Sequence, residues 1–482
     1  MLSKLKRLIY SKTIRYALVS YISIGLGFIN NILLAEKLSI NNYGIYSFIA
    51  LLLQYLSYAD LGIHFSFINM ISIKCNNNKL VKLITQNVFT INLILSIVIC
   101  IGFIIISNAN IGIFRKYSIG DFKIQIILLA VIMNTNVLFT KLYRLYLDYY
   151  KLMAQLLVPP LILFIYLIFF STFIELKNLV IVMLFSRIFV FIVFLFKLPV
   201  KIKLHTNFRI VKIILYRGIN LLIYNVSIAY LPLSTLTIVS YYCSVEQFSQ
   251  FRLAYSLSTA SLLLVSAIET LFYPKLFHKL SSYKTYKSSS FINEISSIYS
   301  SISQLLNFTI IASIPIIKLV FPKYLQMLDA LKIFLIANIV LSTGYTNKLL
   351  LVSQGKEKVL IVNAILSIIV IVLTSTFLFF VNMPYTYLSF SYLIGVIFFN
   401  LFTVNKISSI FSYQSIKYYL LKYCNYKSTI PIIFIFISVI LSENVFLPLL
   451  SFIIFIMINY GNIKYTVLKV FAIIKDDKAL GL

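Results

Sequence analysis

The sequence is poor in charged residues, histidine and cysteine, and it contains no tryptophan. Charged residues make up 11% of the chain, whereas about a quarter of the residues carry charge in a typical soluble domain. The four cysteines show no CxxC spacing, and there are only three histidines. These shortages argue against a soluble domain, a zinc site, a disulfide framework and a metal enzyme.

The sequence consists largely of long apolar runs. Apolar residues are 61% of the chain, and the mean hydropathy is +0.97. A membrane-spanning helix needs about 20 apolar residues, and these runs are unbroken rather than alternating, so the sequence predicts an all-α polytopic membrane protein. We place about fourteen transmembrane helices, near residues 13–35, 44–72, 83–107, 124–147, 152–174, 178–199, 218–243, 248–273, 298–321, 328–352, 359–381, 384–404, 430–446 and 447–463.

The net charge of +29 would suit a nucleic-acid-binding protein, but the positions of the charges argue against that function. Most of the 42 lysines and arginines fall in the N-terminal tail and the even-numbered loops. By the positive-inside rule, this distribution predicts that both termini are cytoplasmic. The largest basic cluster, residues 197–217, is expected to form an amphipathic linker on the membrane surface.

A weak internal repeat divides the chain. The segment LSINNYGIY (38–46) aligns with CSVEQFSQF (243–251), and each contains the turn between the first two helices of a six-helix set. We therefore expect two pseudo-symmetric six-helix bundles around a central cleft. The predicted regions are an N-terminal bundle (1–200), a basic cytoplasmic linker (201–217), a C-terminal bundle (218–404), and two additional transmembrane helices with a cytoplasmic tail (405–482).

Several motifs resemble those of a known family. They are Gly25, Gly27 and Asn31 in helix 1, the turn LSINNYGIYSF, the ADLGI of helix 2, and the later segments SVEQFSQFRLAYSL, YPKLF, VFPKYLQMLDALKIF and NKLLLVSQGKEK. From about residue 10 to residue 405, the chain resembles the polysaccharide flippases of the O-antigen transporter type. These belong to the multidrug/oligosaccharidyl-lipid/polysaccharide exporter superfamily. One departure is Ser249, which stands in the second-half turn where the first half has Gly44.

The resemblance implies a flippase rather than an enzyme. Its cargo would be undecaprenyl-diphosphate-linked oligosaccharide repeat units of O antigen, capsule or another surface polysaccharide. It would move them from the cytoplasmic to the outer face of the bacterial inner membrane by alternating access. The implied partners are lipid-linked oligosaccharide, membrane lipid, and the polysaccharide polymerase and chain-length machinery, with no nucleic acid. No cofactor is predicted, and a proton or sodium gradient is the candidate energy source.

Arg187 is the clearest candidate for binding the diphosphate. It lies at the centre of a predicted span, NLVIVMLFSRIFVFIVFLFK. Placing Arg there costs about 2.5 to 3.5 kcal/mol on insertion scales, so its guanidinium is expected to face the bundle interior or water. A guanidinium binds phosphate oxygens bidentately. The alternative is a structural ion pair with an acid on a neighbouring helix.

Three ionisable groups in the second helices of the two halves are candidates for ion coupling. Asp60 and His64 are four residues apart in one predicted helix, so they share a face, and the repeat aligns Glu269 with His64. Acids within spans are typical of ion relays. For Glu269 the alternative is an interfacial position or a pair with Lys275.

Four further residues are candidate substrate contacts, each with a plainer alternative. Arg15 and Arg217 stand at the cytoplasmic entrances of helices 1 and 7, where they would capture diphosphate or act as positive-inside anchors. Asn31 and Asn225 would bind sugar hydroxyls or bridge helices. No metal-binding residues are predicted.

Two other functions are the main competitors. A drug or cation exporter of the same superfamily would have the same fold but a more acidic cavity. A polysaccharide polymerase would need a large external loop rich in acids or arginines. The longest predicted external loop, residues 108–123, holds one acid, Asp121, which makes a polymerase the weaker alternative.

Overall fold

The computed structural model describes residues 12–74, 78–109, 111–170, 174–200, 204–262, 289–411, 426–441 and 446–475. Its contacts divide the chain into an N-terminal unit (residues 1–226) and a C-terminal unit (residues 227–482). The described regular structure is helical. The first helices are α1 (Lys12–Lys37), α2 (Ile40–Ser57), α3 (Ile63–Lys74), α4 (Asn78–Asn108), α5 (Gly112–Lys116), α6 (Lys123–Leu145), α7 (Tyr149–Phe169), α8 (Leu176–Leu195) and α9 (Phe208–Tyr242). They are followed by α10 (245–262), α11 (Ser289–Ala312), α12 (Ile314–Val320), α13 (Met327–Thr343), α14 (Tyr345–Ser353), α15 (Glu357–Phe380), α16 (Ser389–Phe411), α17 (Tyr426–Ile440) and α18 (Phe446–Lys475).

The outer surfaces of the helices are apolar. Within the described ranges, eleven helices are long and apolar enough to cross a membrane. In α4, for example, Ile97, Ile101 and Ile105 lie on one face and are 51%, 54% and 64% exposed. A stripe of this kind suits acyl chains, because exposed apolar surface of that extent is unfavourable in water. The prediction of an all-α, multi-pass membrane protein is confirmed.

Some predicted spans are interrupted, and several helices are longer than predicted, among them α18, which runs from Phe446 to Lys475 where the prediction ended at residue 463. The span at 44–72 is divided by a turn at residues 58–62, the span at 298–321 by Ser313, and the span at 328–352 by Gly344. Helix α9 begins at Phe208, so residues 208–217 of the predicted linker are helical and continuous with the following span. The apolar character of these segments runs through the interruptions, which is why hydropathy alone did not locate them.

The N-terminal unit is held together by helix pairs around an aromatic core. Helix α1 packs on α7, α8 packs on α6 and α7, and α4 packs on α3 and α6. Phe139 and Tyr143 of α6 pack against Phe194 of α8, with ring centroids 5.6 and 5.3 Å from the Phe194 ring. The Tyr143 hydroxyl also donates a 2.5 Å hydrogen bond to the Phe194 carbonyl. These contacts fix the position of α8 in the unit.

Helix α7 contains Pro159 and Pro160, yet it continues as a helix. Pro160 has no N–H to donate to the carbonyl of Leu156, four residues earlier. The Ser23 hydroxyl of α1 donates to that carbonyl at 2.7 Å, and Asn30 Nδ2 of α1 donates to the Pro160 carbonyl at 2.7 Å. Satisfying a backbone group that proline frees is a requirement in a membrane, and α1 meets it here.

In the C-terminal unit, α13 is the central helix. It packs on α11, α16 and α17, and most of its residues are buried. Lys332 of α13 is 1% exposed. Its ammonium donates to the Ser438 carbonyl of α17 at 2.6 Å and to Asp329 Oδ1 at 3.1 Å. This buried cation therefore attaches α17 to the centre of the unit.

Candidate functional site

Arg187 lies midway along α8 and its side chain is half-buried. Its carbonyl accepts a 3.0 Å hydrogen bond from Asn136 Nδ2 of α6, and Tyr46 of α2 lies within electrostatic range of the guanidinium. No carboxylate of the described residues forms an ion pair with Arg187. The acid that a purely structural role would require is thus not found in that part of the chain.

Several amide side chains join the helices of this unit, and two of them have an oxygen without a donor among the described residues. On α6, Asn134 Nδ2 donates to the Leu56 carbonyl at 3.2 Å, while Asn136 holds α8 as described above. The buried Oδ1 atoms of Asn136 and of Asn30 accept no hydrogen bond from the described residues. Most buried polar atoms in proteins have a partner, so these two oxygens are suited to a hydroxyl from a ligand or from water.

Asp60 lies in the turn between α2 and α3, not inside a continuous helix, so the predicted helix 2 is wrong at this point. Leu61 and Gly62 have positive φ values of 53° and 72°, which a helix does not adopt. The Asp60 carboxylate accepts a 3.1 Å hydrogen bond from the Gly62 N–H and pairs with His64 Nδ1. The two predicted coupling residues therefore do contact each other, through this turn.

The Asp60 turn packs directly on α9. A Cβ atom added at Gly62 would lie 2.2 Å from the Gly218 carbonyl oxygen, and one added at Gly218 would lie 2.9 Å from that of Gly62. Two glycines are needed because the two backbones are in contact. Arg217, next to Gly218, has an exposed side chain, so the structure places this predicted cation in the same neighbourhood as Asp60.

A cavity of about 190 Å³ lies between α3 and α6. Its wall is mostly apolar, with the cations Lys141 and Arg144 among its lining residues. Lys141 is also within electrostatic range of Asp60. Cationic side chains thus line this cavity as well as the middle of α8.

The other predicted site residues are more dispersed. Arg15 and Asn31 of α1 are half-buried. Asn225 of α9 donates its amide to the Leu221 carbonyl of its own helix at 2.7 Å. Glu269 lies outside the described residues. Within the part of the chain that is described, no group of three His, Cys, Asp or Glu side chains could hold a metal ion.

Arg252 of α10 is a half-buried cation that sequence reasoning missed. Its guanidinium lies over the Tyr255 ring, 5.4 Å from the centroid. Its Nη1 atom is buried and has no hydrogen-bond partner in the described ranges. The signal was available, because Arg252 stands inside the predicted span 248–273 just as Arg187 stands inside its own span. Each unit therefore contains an arginine within a predicted span.

Solved membrane transporters share this architecture. The inward-facing conformation of a multidrug resistance MATE family transporter of the MOP superfamily matches with a TM-score of 0.63 and 13% identity, over 82% of this chain and 98% of that one. The lipid II flippase MurJ in an inward closed conformation matches with a TM-score of 0.59 and 14% identity, over 93% and 98%. A MATE structure in the straight conformation matches with a TM-score of 0.54 and 13% identity, over 83% and 96%. No sequence-family profile and no curated protein matches the chain.

The chain has the same fold as these solved proteins. With identities of 13–14%, this similarity establishes the fold and not the cargo. The solved proteins of this fold named above are transporters and a flippase. The function has to be inferred from the residues of the site.

Proposed function

We propose that the protein is a flippase for undecaprenyl-diphosphate-linked oligosaccharide repeat units. It takes them from the cytoplasmic to the outer face of the bacterial inner membrane by alternating access. The motifs that resemble O-antigen-type flippases support this cargo. The fold adds support, since one similar structure is that of a lipid II flippase. The polymerase and chain-length machinery that use such units are the proposed downstream partners.

The observation that carries the proposal is the guanidinium of Arg187. It sits in the middle of a span, where a cation costs about 2.5 to 3.5 kcal/mol on insertion scales, and the described residues offer it no carboxylate. A diphosphate supplies the missing anion and matches the planar fork of donors. Arg15 and Arg217, near the proposed cytoplasmic side, are candidates for the first contact with the same group.

The sugar part of the cargo requires hydrogen-bonding groups rather than charge. The unpaired Oδ1 atoms of Asn30 and Asn136 are acceptors for sugar hydroxyls in the N-terminal unit. Asn31 and Asn225 are proposed to add amide contacts as the cargo moves. Each neutral hydrogen bond is worth only about 0.5 to 1.5 kcal/mol, so the sugars would be held loosely enough to be released.

We propose that Asp60 and His64 couple transport to a proton or sodium gradient, with Glu269 as a third candidate. Asp60 is 5% exposed, and the groups facing it are His64 and Lys141. An ion that binds Asp60 would compete with His64 for the carboxylate and so loosen the turn against α9. If Asp60→Asn transports with an unchanged dependence on pH and sodium, this coupling role is excluded.

A drug or cation exporter is the second candidate function. The MATE transporters among the similar structures favour it, as does the carboxylate of Asp60. An unpaired arginine at the centre of α8 is unfavourable for a cationic drug, because like charges repel in a medium of low dielectric. A polymerase remains the third alternative.

The deciding experiment follows lipid-linked oligosaccharide in cells that lack the protein. A flippase defect predicts that complete single repeat units accumulate on the cytoplasmic face and that restoring the gene clears them. Accumulation of single units on the outer face would indicate a polymerase. No accumulation, together with increased sensitivity to cationic drugs, would indicate an exporter.

Arg187 is tested in the same cells at matched protein level. Arg187→Ala should reduce surface polysaccharide by about tenfold or more, since a charged hydrogen bond is worth about 1.5 to 3 kcal/mol. Arg187→Lys should retain part of the activity, because Lys keeps the charge and loses the bidentate fork. Arg209→Ala, at an exposed arginine of α9, is the matched control. Normal polysaccharide with Arg187→Ala would remove the proposed role.

A further inference from the structure

A cavity of about 850 Å³ lies within the C-terminal unit, where several of its helices end. It is formed by the connections between α9 and α10, between α12 and α13, and between α15 and α16. We call it the loop cavity. Its volume falls in the range of about 300 to 1,000 Å³ that is typical of small-molecule sites, and nothing in the proposed site so far uses it.

The three connections share one side of the membrane in the predicted topology. They join predicted helices 7 and 8, 9 and 10, and 11 and 12, so all three are odd-numbered loops. The basic residues concentrate in the even-numbered loops, which the positive-inside rule assigns to the cytoplasm. The loop cavity therefore opens toward the external side in this topology.

Two aromatic rings stand at the cavity wall. Tyr242 and Phe379 pack with centroids 4.6 Å apart and an interplanar angle of 35°. They are 45% and 37% exposed. Exposed aromatic rings beside a cavity that also has polar groups provide a flat apolar surface at low entropic cost. The C–H face of a sugar ring is a ligand surface that fits such a pair.

Polar groups of the wall retain unused hydrogen-bonding capacity. The Tyr385 hydroxyl faces two amide oxygens, Oε1 of Gln250 and Oε1 of Gln326, the latter at 3.2 Å. One hydroxyl has one proton, so it donates to only one of them at a time, and the Gln326 amide is available to a ligand. Thr386 and Tyr387, which carry hydroxyls, are also among the lining residues. Amides and hydroxyls that act as both donors and acceptors match vicinal sugar hydroxyls.

The charges of the wall argue against a cation and against a lipid tail. The carboxylate of Asp329 is paired with Lys332 at 3.1 Å, and Lys318 adds another positive charge to the lining. The cavity thus has no uncompensated acid for a cationic drug. An acyl chain would leave the amides and hydroxyls without partners, which is unfavourable.

We infer that the loop cavity binds a saccharide of a few rings at the external end of the C-terminal unit. Tyr242 and Phe379 stack on a ring, while Gln326, Thr386 and Tyr387 bind its hydroxyls. The inference rests on the proposed function only for the origin of that saccharide, which would be the sugar part of the translocated cargo or the polymer made from it. The chemistry of the cavity itself is independent of the transport assay.

The absence of tryptophan from the chain makes the test specific. In Phe379→Trp, the only tryptophan of the purified full-length protein stands at the cavity. The matched control is Phe380→Trp, since Phe380 is 81% exposed and is not among the cavity residues. Tyr242→Trp is a second reporter if the first variant does not fold. The probe is the mixture of oligosaccharides released by mild acid from the producing cells' own surface polysaccharide.

A saturable change in fluorescence with Phe379→Trp, absent with Phe380→Trp, is the expected result. Adding Gln326→Leu or Tyr387→Phe should weaken binding by about threefold to tenfold. The matched control for Tyr387→Phe is Tyr460→Phe, an exposed tyrosine of α18, which should leave binding unchanged. Equilibrium dialysis with the unmodified protein checks the same affinity without any substitution.

Three results would overturn the inference. One is no response at about 10 mM saccharide, which would reveal even a weak site. Another is a response to undecaprenyl phosphate without sugar, which would make the cavity a lipid-phosphate site. The third is a response to tetraphenylphosphonium in place of saccharide, which would make it a cation site. The two proposals can fail separately. If the purified protein binds saccharide but its loss causes no cytoplasmic accumulation of repeat units, the flippase proposal is refuted and the saccharide site is retained. If its loss causes accumulation but the protein binds no saccharide, the saccharide site is refuted and the flippase proposal is retained.

Discussion

Gly62 stands at a position where the backbone leaves no room for a side chain. It combines a positive φ of 72° with a backbone contact to Gly218. In Gly62→Ala, the new Cβ would fall 2.2 Å from the Gly218 carbonyl oxygen, and Ala does not favour this φ. We expect the variant to lose about 3 kcal/mol or more of unfolding free energy, measured as a lower unfolding midpoint in detergent and a smaller folded fraction on size exclusion.

The control for Gly62 is another glycine in the same unit. Gly27 of α1 has nothing within 4 Å of an added Cβ, and Ala favours a helix over Gly by about 1 kcal/mol. Gly27→Ala should therefore leave the midpoint unchanged or raise it. Equal losses in the two variants would contradict the role assigned to the contact between the Asp60 turn and α9.

The comparison of Gly62 with Gly27 also shows which residues could be recognised as important from the sequence alone. The charge at Arg187 and the carboxylate at Asp60 were recognisable, since ionisable residues in spans are rare. The importance of Gly62 and Gly218 was not, because it depends on a contact between residues far apart in the chain. Conversely, Gly25 and Gly27 contribute to the family resemblance and yet face open space.

Helix α7 depends on α1, because Ser23 satisfies the Leu156 carbonyl that Pro160 leaves free. Ser23→Ala should lower the unfolding free energy by about 1 to 2 kcal/mol, the usual cost of a buried acceptor without a donor. Ser20→Ala on the same helix is the control, since the Ser20 side chain makes no hydrogen bond to the described residues. Thermal unfolding in detergent measures both.

A double-mutant cycle separates this explanation from a simple packing effect. Pro160→Ala restores an N–H that can bond the Leu156 carbonyl, so Ser23→Ala should cost much less in that background. If Ser23→Ala lowers the unfolding free energy by the same amount with and without Pro160, the serine hydroxyl does not compensate for the N–H that the proline lacks.

At the scale of elements, the sequence predicted where the apolar helices lie and missed where they are interrupted. Helices α4, α6 and α15 fall close to their predicted spans. The interruptions at residues 58–62, Ser313 and Gly344 depend on local backbone geometry and on the neighbouring helices that pack against it. A hydropathy pattern contains no information on backbone geometry or on packing. Asp60 owes its position in a turn to such an interruption, so the geometry of the candidate coupling pair was beyond prediction.

For the whole molecule, composition and family resemblance led to the correct fold class before any coordinates. Sixty-one per cent apolar residues left only a membrane protein. The motifs of the first two helices indicated an exporter superfamily, and a transporter of that superfamily is among the solved proteins that share the fold. The loop cavity was not predictable, since its walls come from three connections whose sequences are unremarkable one by one. Its proposed role also depends on which side of the membrane those connections face.

That orientation can be tested with two cysteines in a variant whose four native cysteines are replaced by serine. Ile111 precedes α5 in the predicted external loop, and Asn405 lies near the end of α16, at a predicted cytoplasmic connection; both side chains are exposed. An odd number of predicted spans separates them, so they must lie on opposite sides. In spheroplasts, Ile111→Cys should react with a membrane-impermeant maleimide, and Asn405→Cys should react only after the membrane is disrupted.

The opposite pattern would place the termini outside and the loop cavity in the cytoplasm, where it could not receive sugars that have already crossed. Labelling of both from one side would show that the number of spans between them is even, and the alternation of basic loops would then need another explanation.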